Sequence, residues 1–163
     1  MPDGSPAQPD VPATQASIEP AEWYADGLRF SCTQCGNCCT GPPGYVWFTP
    51  EEGRAMAEEL GLTEETFLDQ YTRREGARRS LNERATKHGQ DCVFLDRTTY
   101  PGRAVCSIYK SRPMQCRTWP FWPENLRSRS TWERVKRHTP CPGMDSGRLV
   151  PIESIRIQRD ASR

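Results

Sequence analysis

The sequence predicts an α+β fold, a small irregular domain in which short helices and a β-hairpin surround a cysteine cluster. Eight of the 163 residues are cysteines, and four of them fall in the run CTQCGNCC at residues 32–39. Apolar residues make up only 35% of the chain, whereas folded domains usually contain about 45–50% when glycine is counted. Because so small an apolar share builds a modest core, we expect metal–ligand bonds to supply part of the folding free energy.

The chain length suits one domain of ordinary size. Residues 1–21 are rich in proline and small polar side chains, and such a composition buries too little apolar surface to repay the entropy of ordering. We therefore predict a disordered tail at 1–21 and a cysteine-cluster metal-binding domain at 22–163. Trp23 to Phe30 supplies the first core material, as a strand that leads into Cys32.

After the cysteine run, the two prolines of residues 41–44 predict a turn, and the apolar residues 45–48 predict a short strand. Thr49 is a suitable N-cap for a helix, with Pro50 in the first helical position and Glu52 three residues after the cap. Gly61 is suited to end this helix.

A second helix is predicted from Thr63 to about Tyr71, where apolar residues recur at helical spacing. The polar stretch 73–89 lacks periodicity and is predicted to be a loop. Residues 92–96 and 103–109 then resemble the two strands of a hairpin, which would carry one cysteine on each arm.

The remaining segments are short. Residues 111–113 predict a helical turn that carries Cys116, and the proline-rich aromatic segment 119–123 is expected to pack as a lid over the core. Residues 130–138 fit a strand or a helix equally well. A terminal helix is predicted at 151–159.

The cysteines are expected to lie in a reducing compartment. No apolar run approaches the roughly 18 residues of a membrane span, and residues 1–28 contain neither the basic region nor the apolar region of a signal peptide. The sequence therefore predicts a cytoplasmic protein, and in the cytoplasm clustered cysteines more often hold metals or perform redox chemistry than form disulfides.

The charge is divided unevenly along the chain. Residues 1–96 carry 8 basic and 16 acidic side chains, for a net charge of −8, whereas residues 97–163 carry 14 and 5, for +9. Arginine-rich surfaces suit nucleic acid, but no stacking aromatic motif accompanies the charge. We expect no nucleic-acid partner; the arginines either pack against the acidic half or offset thiolate charge. A protein or redox partner of unknown identity remains the expectation.

Thiolates favour zinc and iron–sulfur clusters, and each usually takes four of them. Eight cysteines therefore make two sites, or one cluster with four more cysteines in supporting roles. Since successive side chains tend to diverge, we expect Cys38 and Cys39 to serve two neighbouring sites. The candidate metal ligands are Cys32, Cys35, Cys38, Cys39, Cys92, Cys106, Cys116 and Cys141.

Other interpretations remain open for several of these residues. Cys92, Cys106 and Cys116 also suit a core as small hydrophobic side chains. His88 and His138 precede Cys92 and Cys141 by four and three residues and are further possible ligands.

Two arginines, Arg112 and Arg117, flank Cys116. Cations in these positions would stabilise thiolates near a bound cofactor and raise a cluster's potential. Ordinary salt bridges are the alternative explanation.

The cysteine segments together resemble the YkgJ-type cysteine-cluster family. The matching segments are CTQCGNCC at 32–39, CVFL at 92–95, CSIYKSRPMQCRTWPF at 106–121 and CPG at 141–143. This resemblance implies a domain that chelates zinc or iron, in a family predicted to include iron–sulfur oxidoreductases; flagellin lysine N-methylases look like larger relatives with a similar cysteine region.

We therefore expect a metal-binding protein that holds an iron–sulfur cluster or zinc through its eight cysteines and is redox-active. The alternatives are a structural zinc module that binds a partner or nucleic acid, and a protein-modifying enzyme related to those N-methylases. No Ser/His/Asp set, phosphate-binding loop or catalytic carboxylate pair is recognisable in the sequence. The cysteine pattern thus indicates a site without specifying a reaction.

Overall fold

A computed structural model describes residues 21–162. The disordered tail predicted at 1–21 lies, except for its last residue, outside the described residues. Within them the fold is a mixed α+β domain of short helices and two-stranded antiparallel sheets, as predicted. The helices are α1 Pro50–Glu59, α2 Glu64–Tyr71, α3 Met114–Arg117, α4 Arg129–His138 and α5 Ile152–Ala161.

The strands pair in the order β1 with β8, β2 with β3, β4 with β5 and β6 with β7, all antiparallel. Their bounds are β1 Leu28–Phe30, β2 Thr72–Glu75, β3 Arg78–Leu81, β4 Glu83–Thr86, β5 Gly89–Cys92, β6 Leu95–Asp96, β7 Val105–Cys106 and β8 Met144–Val150.

The predicted start of α1 is confirmed in atomic detail. The backbone N–H of Glu52 donates to the Thr49 hydroxyl at 3.2 Å, and the backbone N–H of Thr49 donates to the Glu52 carboxylate at 2.8 Å. This reciprocal capping box satisfies two backbone donors at the helix end. The helix ends before Gly61, as the sequence indicated.

The prediction of a loop at 73–89 is wrong, because this stretch forms two hairpins. β2 pairs with β3, and β4 pairs with β5. Most of the residues in their strands are polar or charged, so no alternation of apolar residues marks them as strands. The strand predicted at 45–48 is reduced to one isolated bridge between Trp47 and Ser80.

The hairpin predicted at 92–96 and 103–109 is much shorter than expected. Only Leu95 and Asp96 pair with Val105 and Cys106. Cys92 instead ends the β4–β5 hairpin, opposite Glu83. The two cysteines therefore lie on two adjacent hairpins rather than on the arms of one.

The C-terminal third contains a helix where the sequence fitted a helix or a strand equally well, and it contains a strand that was not predicted. Residues 129–138 form α4, whose first turn is capped by the Ser128 hydroxyl. β8, which the sequence analysis did not identify, pairs with β1 and so joins the two ends of the domain. The predicted terminal helix is confirmed as α5.

Two hydrophobic clusters form the core. One contains Tyr24, Phe121, Trp132 and Ile155 among its buried residues. The other is built by α1, α2 and the segment around Phe94. Phe121 is only 1% exposed, so it belongs to the core itself and is not part of a lid as predicted. Within residues 21–162, the helices are all too short or too polar to cross a membrane.

Candidate metal centre

The cysteine run lies between β1 and α1 and is held as an irregular turn. Gln34 and Gly36 both adopt positive φ, at 56° and 75°, and the carbonyl of Gln34 accepts a 2.8 Å hydrogen bond from the backbone N–H of Ala104. A single 3₁₀ turn at Asn37–Cys39 follows. The run is therefore docked on the loop that leads into β7 and Cys106.

Gly36 makes the closest approach in this docking. A Cβ atom at this position would lie 2.6 Å from the Cβ of Ala104, well inside van der Waals contact. Only glycine combines that proximity with a left-handed backbone at low cost.

We expect Gly36→Ala to lower the free energy of unfolding by about 2–4 kcal/mol, the sum of backbone strain and an overpacked contact. Gly102→Ala is the matched control, because Gly102 has nearly the same φ, 74°, and no atom within 4 Å of the added Cβ; backbone strain alone should cost about 1 kcal/mol there. Denaturant unfolding of both variants checks this. Equal losses would show that the contact with Ala104 is not a constraint.

Six cysteines line one cavity of about 200 Å³. They come from segments far apart in the sequence: the run itself, the end of β5, β7 and α3. The six are Cys32, Cys38, Cys39, Cys92, Cys106 and Cys116. Scattered thiols of this kind converge only when the surrounding fold is complete.

The sulfur atoms of Cys38 and Cys39 lie 3.7 Å apart. The expected divergence of these two side chains is therefore wrong. Two thiolates bound to one tetrahedral zinc at a Zn–S distance of about 2.3 Å would be separated by about 3.8 Å. The pair therefore has the spacing of two ligands on one ion.

The two neighbouring thiols differ in how readily they ionise. A hydrogen bond from the Cys39 thiol lowers the pKa of Cys38 to about 7. The same bond, together with burial, raises the pKa of Cys39. Cys38 therefore ionises readily and can bind a metal as a thiolate, whereas Cys39 keeps its proton until a metal ion displaces it.

Three other thiols around the cavity are harder to ionise than an ordinary cysteine. Burial raises the pKa of Cys92 to about 11 and also raises the pKa of Cys106 and Cys116. The negative charges of neighbouring thiolates raise these pKa values further. The pKa of Cys116, for example, is raised by the charges of Cys92, Cys106 and Cys38. A metal that binds here must displace several protons, so its affinity falls as the pH falls.

Cys35 and Cys141 do not line the cavity and instead interact with each other. Cys141 is buried in the core cluster that contains Phe121. Burial raises its pKa, and the charge of Cys35 adds to that rise. The indole N–H of Trp119 is buried without an oxygen or nitrogen acceptor. Its interaction with the Cys141 sulfur lowers the pKa of Cys141 and so opposes the effect of burial.

The segment that carries Cys141 is held against the cysteine run. The backbone N–H of Ser31 donates to the Gly143 carbonyl at 3.3 Å, and the side-chain amide of Asn37 donates to the Pro140 carbonyl at 2.6 Å. A Cβ on Gly143 would lie 2.1 Å from the Ser31 carbonyl oxygen. These contacts, on either side of Cys35 in the sequence, hold the segment that carries Cys141 against the cysteine run.

The flanking arginines have different surroundings. Arg112 lines the cavity, and its charge lowers the pKa of Cys38, Cys106 and Cys116 relative to burial alone. Arg117 is exposed at the end of α3 and does not line the cavity. His88 and His138 are exposed as well, and neither lines the cavity.

A buried ion pair beside the cavity was missed by the sequence analysis. The Asp91 side chain is 2% exposed and accepts two hydrogen bonds from Arg97, at 3.0 and 3.3 Å. The hydroxyl of Thr40, which follows Cys39, donates to the His88 carbonyl at 3.2 Å and also lies near enough to Asp91 to lower the pKa of its carboxyl. Asp91 therefore connects the end of the run to the strand that ends in Cys92. Its position directly before a cysteine was the only signal in the sequence.

The donor set suits a thiophilic metal. Six thiols converge on one cavity with a cation beside them, and soft thiolate ligands select zinc and iron–sulfur clusters. Among the described residues, no group of three or more His, Cys, Asp or Glu side chains is close enough to hold a metal ion in this arrangement.

Comparisons with known proteins agree with this chemistry. A family model described as "CxxCxxCC: Putative zinc- or iron-chelating domain" matches residues 31–142. "Uncharacterized protein MJ0661" of Methanocaldococcus jannaschii is 32% identical over 99 residues, which are 60% of this chain and 48% of that protein. The chain thus spans about half the length of this curated relative. No solved structure matches the chain.

Proposed function

Because the chain belongs to the CxxCxxCC family of zinc- or iron-chelating domains, we propose that it is a metal-binding protein that holds an iron–sulfur cluster through its cysteines and exchanges electrons with a partner protein. The family and the eight cysteines support metal chelation in general. The kind of metal centre, its ligands and its redox role are our proposal.

The observation that carries the proposal is the convergence of six thiols on one cavity of about 200 Å³. A structural zinc site is closed by four ligands around one ion. An iron–sulfur cluster also takes four cysteines, so the number of thiols alone does not separate the two kinds of centre. The cavity, however, has several times the roughly 30 Å³ that one water occupies in the liquid. This volume favours a centre larger than a single ion.

The surrounding residues suit redox chemistry. A bound iron–sulfur cluster would supply electron transfer, with a potential that depends on nearby charge, hydrogen bonds and solvent exposure. Arg112 provides positive charge beside three of the sulfurs, which favours their thiolate form and would raise the potential. Cys32 and Cys38 are exposed, so a partner protein could approach this edge of the cavity closely.

We further propose that the cysteines act in two groups. The first comprises the mutually interacting Cys38, Cys39, Cys92, Cys106 and Cys116, with Cys32 at the edge of the cavity. The second contains Cys35 and Cys141. This division replaces our expectation that the doublet itself separates two sites.

A zinc site is the second candidate, and one distance favours it. The 3.7 Å separation of the Cys38 and Cys39 sulfurs is what two ligands of one tetrahedral zinc require. Cys92, Cys106 and Cys116 would then compete to complete the tetrahedron. In that case the centre stabilises the fold and carries no electron.

Metal analysis of protein purified without oxygen separates the two candidates. We expect iron and acid-labile sulfide in stoichiometric amounts, together with visible absorption that bleaches on reduction. The cells should be supplied with both iron and zinc, so that neither metal is excluded by scarcity. Stoichiometric zinc with neither iron nor sulfide would refute the cluster and leave the zinc site.

A further inference from the structure

Apolar side chains line the cavity together with the cysteines, among them Pro42, Val46, Ile108 and Trp122. Tyr45 and Tyr109 also line it and are 49% and 51% exposed, so the cavity is open to solvent beside these rings. A bound metal needs no such apolar walls, whereas a small organic ligand does.

The polar side chains of this region are largely satisfied by the protein itself. Gln115 accepts a hydrogen bond from the Trp47 backbone at 2.7 Å and donates to the Tyr45 carbonyl at 3.0 Å. The Trp122 indole donates to the Gln115 carbonyl at 2.8 Å. These groups shape the cavity and have little capacity left for a ligand.

Arg112 differs from these residues. Its guanidinium carbon lies 3.6 Å from the centre of the Tyr109 ring, and its Nε donates to the Tyr109 carbonyl at 3.0 Å. These two contacts fix the plane of the guanidinium. Within residues 21–162, its two terminal nitrogens have no hydrogen-bond acceptor and no carboxylate within ion-pair distance.

We propose that this cavity binds a small organic monocarboxylate, with its carboxylate on the terminal nitrogens of Arg112 and its short apolar body between Pro42 and Trp122. A guanidinium whose plane is fixed and whose two terminal nitrogens are free can donate two parallel hydrogen bonds to the two oxygens of a carboxylate. The inference deepens the proposed function, on which it rests, because the ligand shares the cavity with the metal.

The size of the cavity limits the ligand. A cavity of about 150 Å³ is enough for one benzene ring. Here about 200 Å³ must hold the metal at the cysteine end as well, so the apolar body is limited to a few carbon atoms. Butyrate is therefore a suitable probe, and butyramide is its neutral counterpart of nearly equal shape.

Binding is measured on the metal-loaded full-length protein by ligand-observed NMR, with the metal content of every sample determined in parallel. For a ligand of six non-hydrogen atoms we expect a Kd on the order of 1–10 mM. Arg112→Met should weaken butyrate binding at least about tenfold, because it removes a charged hydrogen-bonding partner. Arg117→Met is the matched control and should bind as the unmodified protein does, since Arg117 lies outside the cavity.

Arg112→Lys keeps the positive charge but removes the pair of parallel donors that a guanidinium offers. We expect this variant to keep its metal and to bind butyrate several-fold more weakly. The inference is overturned if butyrate shows no saturable binding, if Arg112→Met binds it unchanged, or if butyramide binds equally well. Inorganic phosphate that binds as tightly as butyrate would also overturn it, because the apolar body would then contribute nothing.

Metal content distinguishes the failure of this inference from the failure of the proposed function. A protein that retains its metal but does not bind butyrate contradicts the inference alone. If Arg112→Met and Arg112→Lys both lose the metal, Arg112 serves the metal centre, and the carboxylate site is refuted. A protein without any metal when purified refutes the proposed function itself.

Discussion

Cys116→Ser is expected to remove the metal from the cavity and to lower the thermal unfolding midpoint by about 10 °C or more. Cys116 interacts electrostatically with four other cysteines: the charges of Cys38, Cys92 and Cys106 raise its pKa, and its own charge raises the pKa of Cys39. A hydroxyl cannot replace a thiolate as a soft ligand. The large effect follows because metal binding contributes folding free energy in a domain whose apolar core is small.

Cys35→Ser provides the comparison for this prediction. Cys35 lies in the same cysteine run but interacts with Cys141 and does not line the cavity. We therefore expect Cys35→Ser to spare the metal that Cys116→Ser removes, as shown by metal analysis and calorimetry of both variants. If the two changes remove the same metal equally, the division into two groups is wrong; if Cys116→Ser keeps its full metal content, Cys116 is not a ligand.

The second large effect is expected from Asp91→Ala, with a loss of about 3–5 kcal/mol in the free energy of unfolding. The change leaves Arg97, whose side chain is 23% exposed, without its anion beside the cysteine run. It also removes the interaction between Asp91 and Thr40 at the end of the run. Urea unfolding of the metal-loaded protein measures the loss.

Glu51→Ala is the control for this change. The Glu51–Arg54 pair has nearly the same separation, 2.9 Å, but its side chains are 74% and 53% exposed, and an ion pair so accessible to water contributes little to stability. Similar losses in the two variants would show that the burial of the Asp91–Arg97 pair contributes nothing.

The dependence on pH gives a second measurement of the same ion pair. Burial by itself would raise the pKa of Asp91, but hydrogen bonds from Arg97 and Thr40 and the charge of Arg97 outweigh it and hold the pKa below its usual value. The stabilisation is therefore present above the pKa of an unfolded aspartate, about 4, and is lost as the pH falls below it. Asp91→Ala should lack this part of the acid sensitivity.

Local chemistry explains which elements could be predicted. Helix α1 followed from Thr49 and Glu52 because a capping box is made within four residues. The hairpins at 72–92 could not be found in this way, since their mostly polar strands carry no alternation of apolar residues. β8 was missed for a related reason: its pairing with β1 joins residues more than a hundred positions apart.

The same distinction applies to the candidate site. The sequence alone identified the family, the eight candidate ligands and the flanking arginines, because the spacing of cysteines and the types of residue around them carry that information. It was wrong about the directions of Cys38 and Cys39, since the 3₁₀ turn at Asn37–Cys39 brings together two side chains that an extended chain would separate.

Only the tertiary structure decided which cysteines share a cavity, that Arg112 lines it while Arg117 does not, and that Asp91 and Arg97 support it. Sequence order determines which residues are available and what local turns they make. The grouping of thiols from four distant segments depends instead on long-range packing, such as that of Gly36 on Ala104 and of Gly143 on Ser31, and contacts of this kind exist only once the chain has folded.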